Sequence, residues 1–161
     1  MSQLPKKPDD FEVISTESCF RDLVDRLAAQ PFIAFDTEFV SEHTYRSELC
    51  LLQVAAPGVL AAIDTFAVPD IDPFWRLLTE PGRTTVVHAG REEMGFILHA
   101  IQARPADLFD VQVAAGLVDH DYPAGYASVV RRFLGEQTNK AETRTDWRKR
   151  PRCSRPPSMA A

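Results

Sequence analysis

The stretch Phe32-Ile33-Ala34-Phe35-Asp36-Thr37-Glu38-Phe39-Val40 runs from an apolar segment straight into two carboxylates two positions apart. The apolar run follows Pro31 and predicts a buried strand that continues through Phe39. On a strand, residues i and i+2 project to one face, so Asp36 and Glu38 point together. Two like charges side by side at the end of a buried strand are unfavourable unless a cation compensates them. Hard divalent ions such as Mg²⁺ or Mn²⁺ prefer such oxygen ligands. A D-x-E triplet also marks ordinary polar strand ends, so taken alone it leaves both readings open.

Outward from this strand the chain alternates between two periodicities. Upstream, Ser15 and Thr16 precede Phe20, Leu23, Val24, Leu27 and Ala28, a helical stripe with a capping residue before it. Downstream, Leu49 to Ala56 and Val59 to Ile63 read as two strands joined by the turn dipeptide Pro57-Gly58. Phe74 to Leu78 suggests a helix, and Thr84 to Val87 a β-branched strand. From Gly90 the period is helical, with Met94, Ile97, Leu98 and Ile101 as the apolar seam, followed by helices over Val111 to Val118 and Ala124 to Leu134. The expected order is helix, three strands, helix, strand, then helices. Such an order predicts an α/β fold with a mixed sheet flanked by helices.

Length and composition set the outer bounds. With 161 residues, 45% hydrophobic and 25% charged, the chain has the size and make-up of one globular domain with tails. Three segments are expected: a flexible lead-in over 1–10, a domain over 11–147, and a basic, Pro-rich, disordered tail over 148–161. No apolar run approaches the ~18 residues of a membrane span, and the N-terminus has no signal-like apolar core. Cys19, Cys50 and Cys153 cannot all pair and match no zinc module, so a reducing cytoplasm is the simplest setting. The net charge of −5 divides unevenly, with a basic stretch from Asn139 onward and an acidic body before it. A basic stretch can touch phosphates and an acidic body can hold hydrated cations, although on charge alone solvated faces are the better reading of both.

A few further residues stand out. Glu93 falls on the flank of the helical seam, in the first turn, where it could face a cleft; Glu92 falls nearly opposite the seam, toward solvent. Either acid also suits a helix start on electrostatic grounds alone. His88, at a strand end, either touches substrate or bonds the turn. Gln53, inside an apolar run, either faces a cleft or bonds to backbone. Asp110 precedes a helix and is read as its cap. Asp146, with Arg144 and Trp147, could form a salt-bridged corner.

At these positions a family resemblance becomes visible. FIAFDTEFV (32–40), TYRSELCLLQVA (44–55), VVHAGREEMGFIL (86–98), FDVQVAAGLV (109–118), GYASVV (125–130) and ETRTDW-x-x-RP (142–151) occur in an order that resembles ribonuclease D. That family comprises 3′–5′ exoribonucleases of the DEDD superfamily, in the subgroup with a catalytic tyrosine. The resemblance implies a ribonuclease H-like three-layer fold and hydrolysis of 3′-terminal nucleotides from RNAs such as tRNA precursors. It implies two divalent ions, Mg²⁺ or Mn²⁺, held by Asp36 and Glu38 of the first motif and by Glu93 of the second, where the family usually has Asp. The partner implied is RNA with a free 3′ end, with DNA not excluded and neither a membrane nor a protein partner expected. The Thr37 amide, Phe39, Tyr45, Leu49, Gln53 and His88 fall near where the terminal nucleotide would sit.

The family's last motif, a tyrosine followed three residues later by aspartate, belongs after the Arg-Pro of the final block. Nothing after Asp146 is Asp, Glu, Tyr or His. The expectation is a C-terminally incomplete fold, a weak second ion, and activity well below that of a complete enzyme, with His120 or Tyr122 as conceivable substitute donors. The competing readings are an inactive nucleic-acid-binding remnant and a structural or regulatory fragment with no nucleic-acid role.

Overall fold

The computed structural model describes residues 11–41, 47–118, 122–137 and 147–148. The elements in chain order are β1 (Glu12–Ile14), α1 (Glu17–Ala28), β2 (Phe32–Val40), β3 (Glu48–Ala56), β4 (Val59–Asp64), α2 (Asp72–Leu78), β5 (Thr84–Val87), α3 (Arg91–Ile101), β6 (Leu108–Asp110), α4 (Val111–Val118) and α5 (Tyr126–Leu134). They build a six-stranded sheet ordered β1-β4-β3-β2-β5-β6. β2, β3 and β4 form an antiparallel meander, while β1–β4, β2–β5 and β5–β6 pair in parallel. The sheet is mixed and flanked by helices, as the pattern predicts.

Local chemistry accounts for most boundaries. Thr16 is extended and its hydroxyl accepts from the Cys19 amide, which caps α1. Pro57 and Gly58 close the β3–β4 hairpin, with Gly58 at φ 72°, a conformation that favours glycine. β1 and β6 are corrections to the expected order. Each has three residues, too short for any periodicity, and each pairs with a strand remote in sequence.

β2 divides the molecule into two sides. Ile33, Phe35 and Thr37 are buried, and Phe35 meets Phe74 and Trp75 of α2 edge-on, each at 5.7 Å between ring centroids. By strand alternation Ala34, Asp36 and Glu38 face the other way. Of the expected α3 seam, Met94, Ile97 and Ile101 pack into or against the core, and Leu98 alone departs from it. Leu98 is 53% exposed, and the buried line runs through Glu93 and Ile97, with Ile101 packed against the core. Positions 93, 97 and 101 repeat every four residues along one helix stripe, and Leu98 stands beside it. The lead-in and nearly all of the basic tail, together with Tyr45, His120 and Asp146, lie outside the described residues.

Candidate active site

The site is assembled at the C-terminal end of β2. Asp36 opposes Gln53 in the β2–β3 ladder, and the register shifts between Glu38 and Phe39, where the strand is about to leave the sheet. Among the described residues the ion pairs lie elsewhere, so no Lys or Arg neutralises either carboxylate. Desolvation pushes Glu38 up from 4.5 to about 7, and the neighbouring Asp36 charge adds to it. Asp36 stays open to solvent along part of its surface, yet desolvation raises it as well. Its bond from the Thr37 amide and the nearby His88 pull it back down. The Thr37 amide donates to Asp36 Oδ1 at 3.0 Å, so in this state it is engaged within the protein. Gln53 Nε2 lies 3.5 Å from Glu38 Oε1, a long contact that places its amide toward the site.

Glu93 arrives from the opposite side of the strand. It is 6% exposed, and its Oε1 accepts a 2.7 Å bond from the Thr37 hydroxyl, which projects to the core side of β2. Burial raises its pKa, the Thr37 bond opposes that shift, and the Asp36 charge adds a smaller upward push. Asp36 and Glu38 thus share a face, whereas Glu93 is within electrostatic reach but turned into Thr37. No group of three or more His, Cys, Asp or Glu converges to hold a metal among the described residues. The donor chemistry nevertheless fits a hard divalent ion. The donors are carboxylate oxygens, desolvated and, among the described residues, without a Lys or Arg partner. The Thr37 bond occupies Oε1 of Glu93.

The corner between β5 and α3 positions His88 and Glu93 together. Ala89 adopts φ 56°, unusual for a side chain bearing Cβ, and a Cβ on Gly90 would stand 2.3 Å from Val87 Cγ2. Asp110 holds this corner. Its carboxylate accepts from the Ala89 and Gly90 amides at 3.1 and 2.9 Å and from Gln112 and Val113 at the start of α4 at 2.8 and 3.4 Å. Burial works against its charge, but the four amides outweigh burial and hold its carboxyl below the usual range. Asp110 is therefore the cap the sequence suggests and a tether between two loops besides.

Phe39 stacks edge-on with Phe96 at 5.5 Å, and Leu49, its partner in the ladder, packs against the core. His88 shares the Asp36 side of the sheet, and its ring meets that of Tyr126. Tyr126 is the site residue that reading the sequence misses. It opens α5, 38 positions beyond His88, and only its place within the GYASVV block offered any signal. Tyr122, by contrast, is exposed, with its ring against Gly116.

The burial of Glu38 gives a testable pH dependence. Its folded pKa lies above its ordinary value of 4.5, at about 7, so the folded state binds the proton more tightly. That contribution to stability is complete below the unfolded value and is lost as pH rises through about 7. After allowance for solvent screening of a half-buried group, the loss is ~1–2 kcal/mol. Denaturant unfolding in EDTA should give lower stability at about pH 8 than at about pH 5, with a shallower slope for Glu38→Gln.

The mixed sheet thus carries a carboxylate pair toward the end of β2 and a third acid on α3, the helix after the neighbouring strand β5. A family model described as 3′-5′ exonuclease matches residues 11–159, and the chain belongs to that family. Within it, the chain is similar to ribonuclease D: 39% identical over 149 residues to the Shewanella sp. (strain ANA-3) protein, covering 92% of this chain and 38% of that one. Ribonuclease D of Escherichia coli (strain K12) is 34% identical over 152 residues, covering 94% of this chain and 40% of that one. The chain thus spans well under half the length of these curated relatives. The crystal structure of E. coli RNase D, described as an exoribonuclease involved in structured RNA processing, superposes with a TM-score of 0.83 at 34% identity, over 90% of this chain and 39% of that one. The Nibbler EXO domain of Aedes aegypti shares the fold, with a TM-score of 0.79 at 16% identity over 94% of this chain and 81% of that one. The fold is the ribonuclease H-like one, and the family is one of hydrolases. Among the described residues, no helix is long and apolar enough to cross a membrane.

Proposed function

We propose that residues 11–147 form the exonuclease domain of a ribonuclease D-type enzyme that removes 3′-terminal nucleotides from RNA with a free 3′ end, substrates of the tRNA-precursor kind included. The observation that carries this reading is the carboxylate pair Asp36 and Glu38, desolvated on one face of a strand end and without a Lys or Arg partner among the described residues. Asp36, Glu38 and Glu93 are the residues to hold Mg²⁺ or Mn²⁺. When bound, a pair of such ions supplies an activated water and a stabilised leaving 3′ oxygen. Gln53 lies toward the same face, and Phe39 and Leu49 form an apolar rim at the strand end for the terminal nucleotide. Residues 147–161 contain no Asp, Glu, Tyr or His, so this stretch supplies neither a fourth carboxylate nor a phenol. The basic stretch from Asn139 is available to RNA phosphates.

The test is digestion of a 3′-labelled RNA, and of the matching DNA, by the purified chain with Mg²⁺, with Mn²⁺ and in EDTA. A version extended by a tyrosine–aspartate helix runs alongside. Metal-dependent release of nucleoside 5′-monophosphates from RNA is expected, slower than for the extended version by about 10²–10⁴-fold if the phenol orients the water. Binding of RNA without cleavage by either version favours a binding remnant. Neither binding nor cleavage defeats both.

A further inference from the structure

The donors named at the site are engaged within the protein, with two exceptions. The Thr37 amide is on Asp36, the Thr37 hydroxyl is on Glu93, and Gln53 Nε2 is directed at Glu38. The exceptions are Nε2 of His88 and the phenol oxygen of Tyr126, both buried and both without a hydrogen-bond partner among the described residues. Their rings meet edge to face, with centroids 5.5 Å apart and planes at 85°. His88 follows β5, whose residue Val86 pairs with Ala34 of β2, so strand alternation puts His88 beside Asp36 on the same side of the sheet. The Asp36 charge also adds to burial in raising the Tyr126 phenol.

A buried polar atom left unpaired loses its hydration and gains nothing in return, so native structures keep such groups where something else completes them. A partner that accepts from both, the phenol O–H and an Nε2–H imidazole, must also sit next to carboxylates. A phosphate oxygen accepts only, and it is the part of a nucleotide that a metal-binding carboxylate pair draws near. We propose that Tyr126 and His88 form a phosphate-holding pair, with the Tyr126 hydroxyl and the His88 Nε2–H donating to the phosphate of the 3′-terminal nucleotide. This inference rests on the nuclease reading above and adds to it a substrate-positioning phenol outside the family's motifs. Tyr126 works from the first turn of α5, and His88 from the corner that Asp110 tethers.

Titration calorimetry of the full chain in Mn²⁺ with adenosine 5′-monophosphate, and separately with adenosine, tests the pair in the wild type, Tyr126→Phe and Asp36→Ala. Tyr126→Phe removes one oxygen and no packing. It is expected to weaken the monophosphate about tenfold while leaving adenosine unchanged. Because the phenol has no hydrogen-bond partner among the described residues, the melting temperature should hold or rise. A structural phenol would give the reverse, a lower melting temperature with unchanged monophosphate affinity, and would overturn the proposal. Equal weakening of both ligands would assign the phenol to the sugar or base and overturn it too. If Tyr126→Phe changes nothing while Asp36→Ala abolishes binding, the pair fails and the nuclease reading stands. If the wild type binds the monophosphate no better than adenosine and Asp36→Ala is silent, the nuclease reading fails and takes the pair with it.

Discussion

Asp36→Asn is expected to lower metal-dependent release of 3′ nucleotides by about 10³-fold or more, and at the same time to stabilise the metal-free protein. The substitution keeps the shape of the side chain and removes only its charge. That charge is what a divalent ion would bind, and stabilising the leaving oxygen through such an ion is worth several kcal/mol. The same charge raises the pKa of Glu38 and adds to the raising of Glu93, each already desolvated. Removing it relieves both repulsions, so the melting temperature in EDTA should rise. Rates on a 3′-labelled RNA and melting curves in EDTA provide the two readouts. A variant that digests at the wild-type rate removes Asp36 from the site. A variant that melts lower than the wild type contradicts the electrostatic account.

Phe35→Ala, one residue earlier, should have the opposite character. Phe35 faces the core, is 5% exposed, and meets Phe74 and Trp75 at 5.7 Å each. Truncation leaves a cavity between β2 and α2 and costs about 3–5 kcal/mol, a large share of a typical domain's stability. For a chain of this size that lowers the melting temperature by roughly 6–20 °C. Circular dichroism melts check the value directly, and a shift under about 2 °C would mean that the site collapses to fill the gap. Neighbouring positions on one strand thus separate function from stability, because alternation turns one side chain to the site and the next to the core.

That alternation is also why so much was legible beforehand. A nine-residue run with buried residues every second position, followed by Pro57-Gly58 between two more such runs, leaves few arrangements other than a meander. The carboxylate pair was legible for the same reason. What escaped was settled by contacts across long separations. β1 and β6 are strands only because β4 and β5 accept them, and three residues carry no period of their own. Leu98 is exposed and Glu93 buried because the core-facing line of α3 runs through positions 93, 97 and 101. Nothing near Thr37 announces that its hydroxyl binds a carboxylate 56 residues away, and nothing near Tyr126 announces His88.

The shortness of β1 and β6 has a consequence for how this protein behaves in company. They are the outer strands of the sheet among the described residues, and an outer strand exposes backbone groups to which another chain can add. Three residues present too little of such a ladder to hold a stranger, and Glu12 and Asp110 place a carboxylate in each. The two nine-residue strands, which would make effective templates for fibril-like pairing, are enclosed in the middle of the sheet. The strand that carries Asp36 and Glu38 is therefore closed along its length to other copies of the chain.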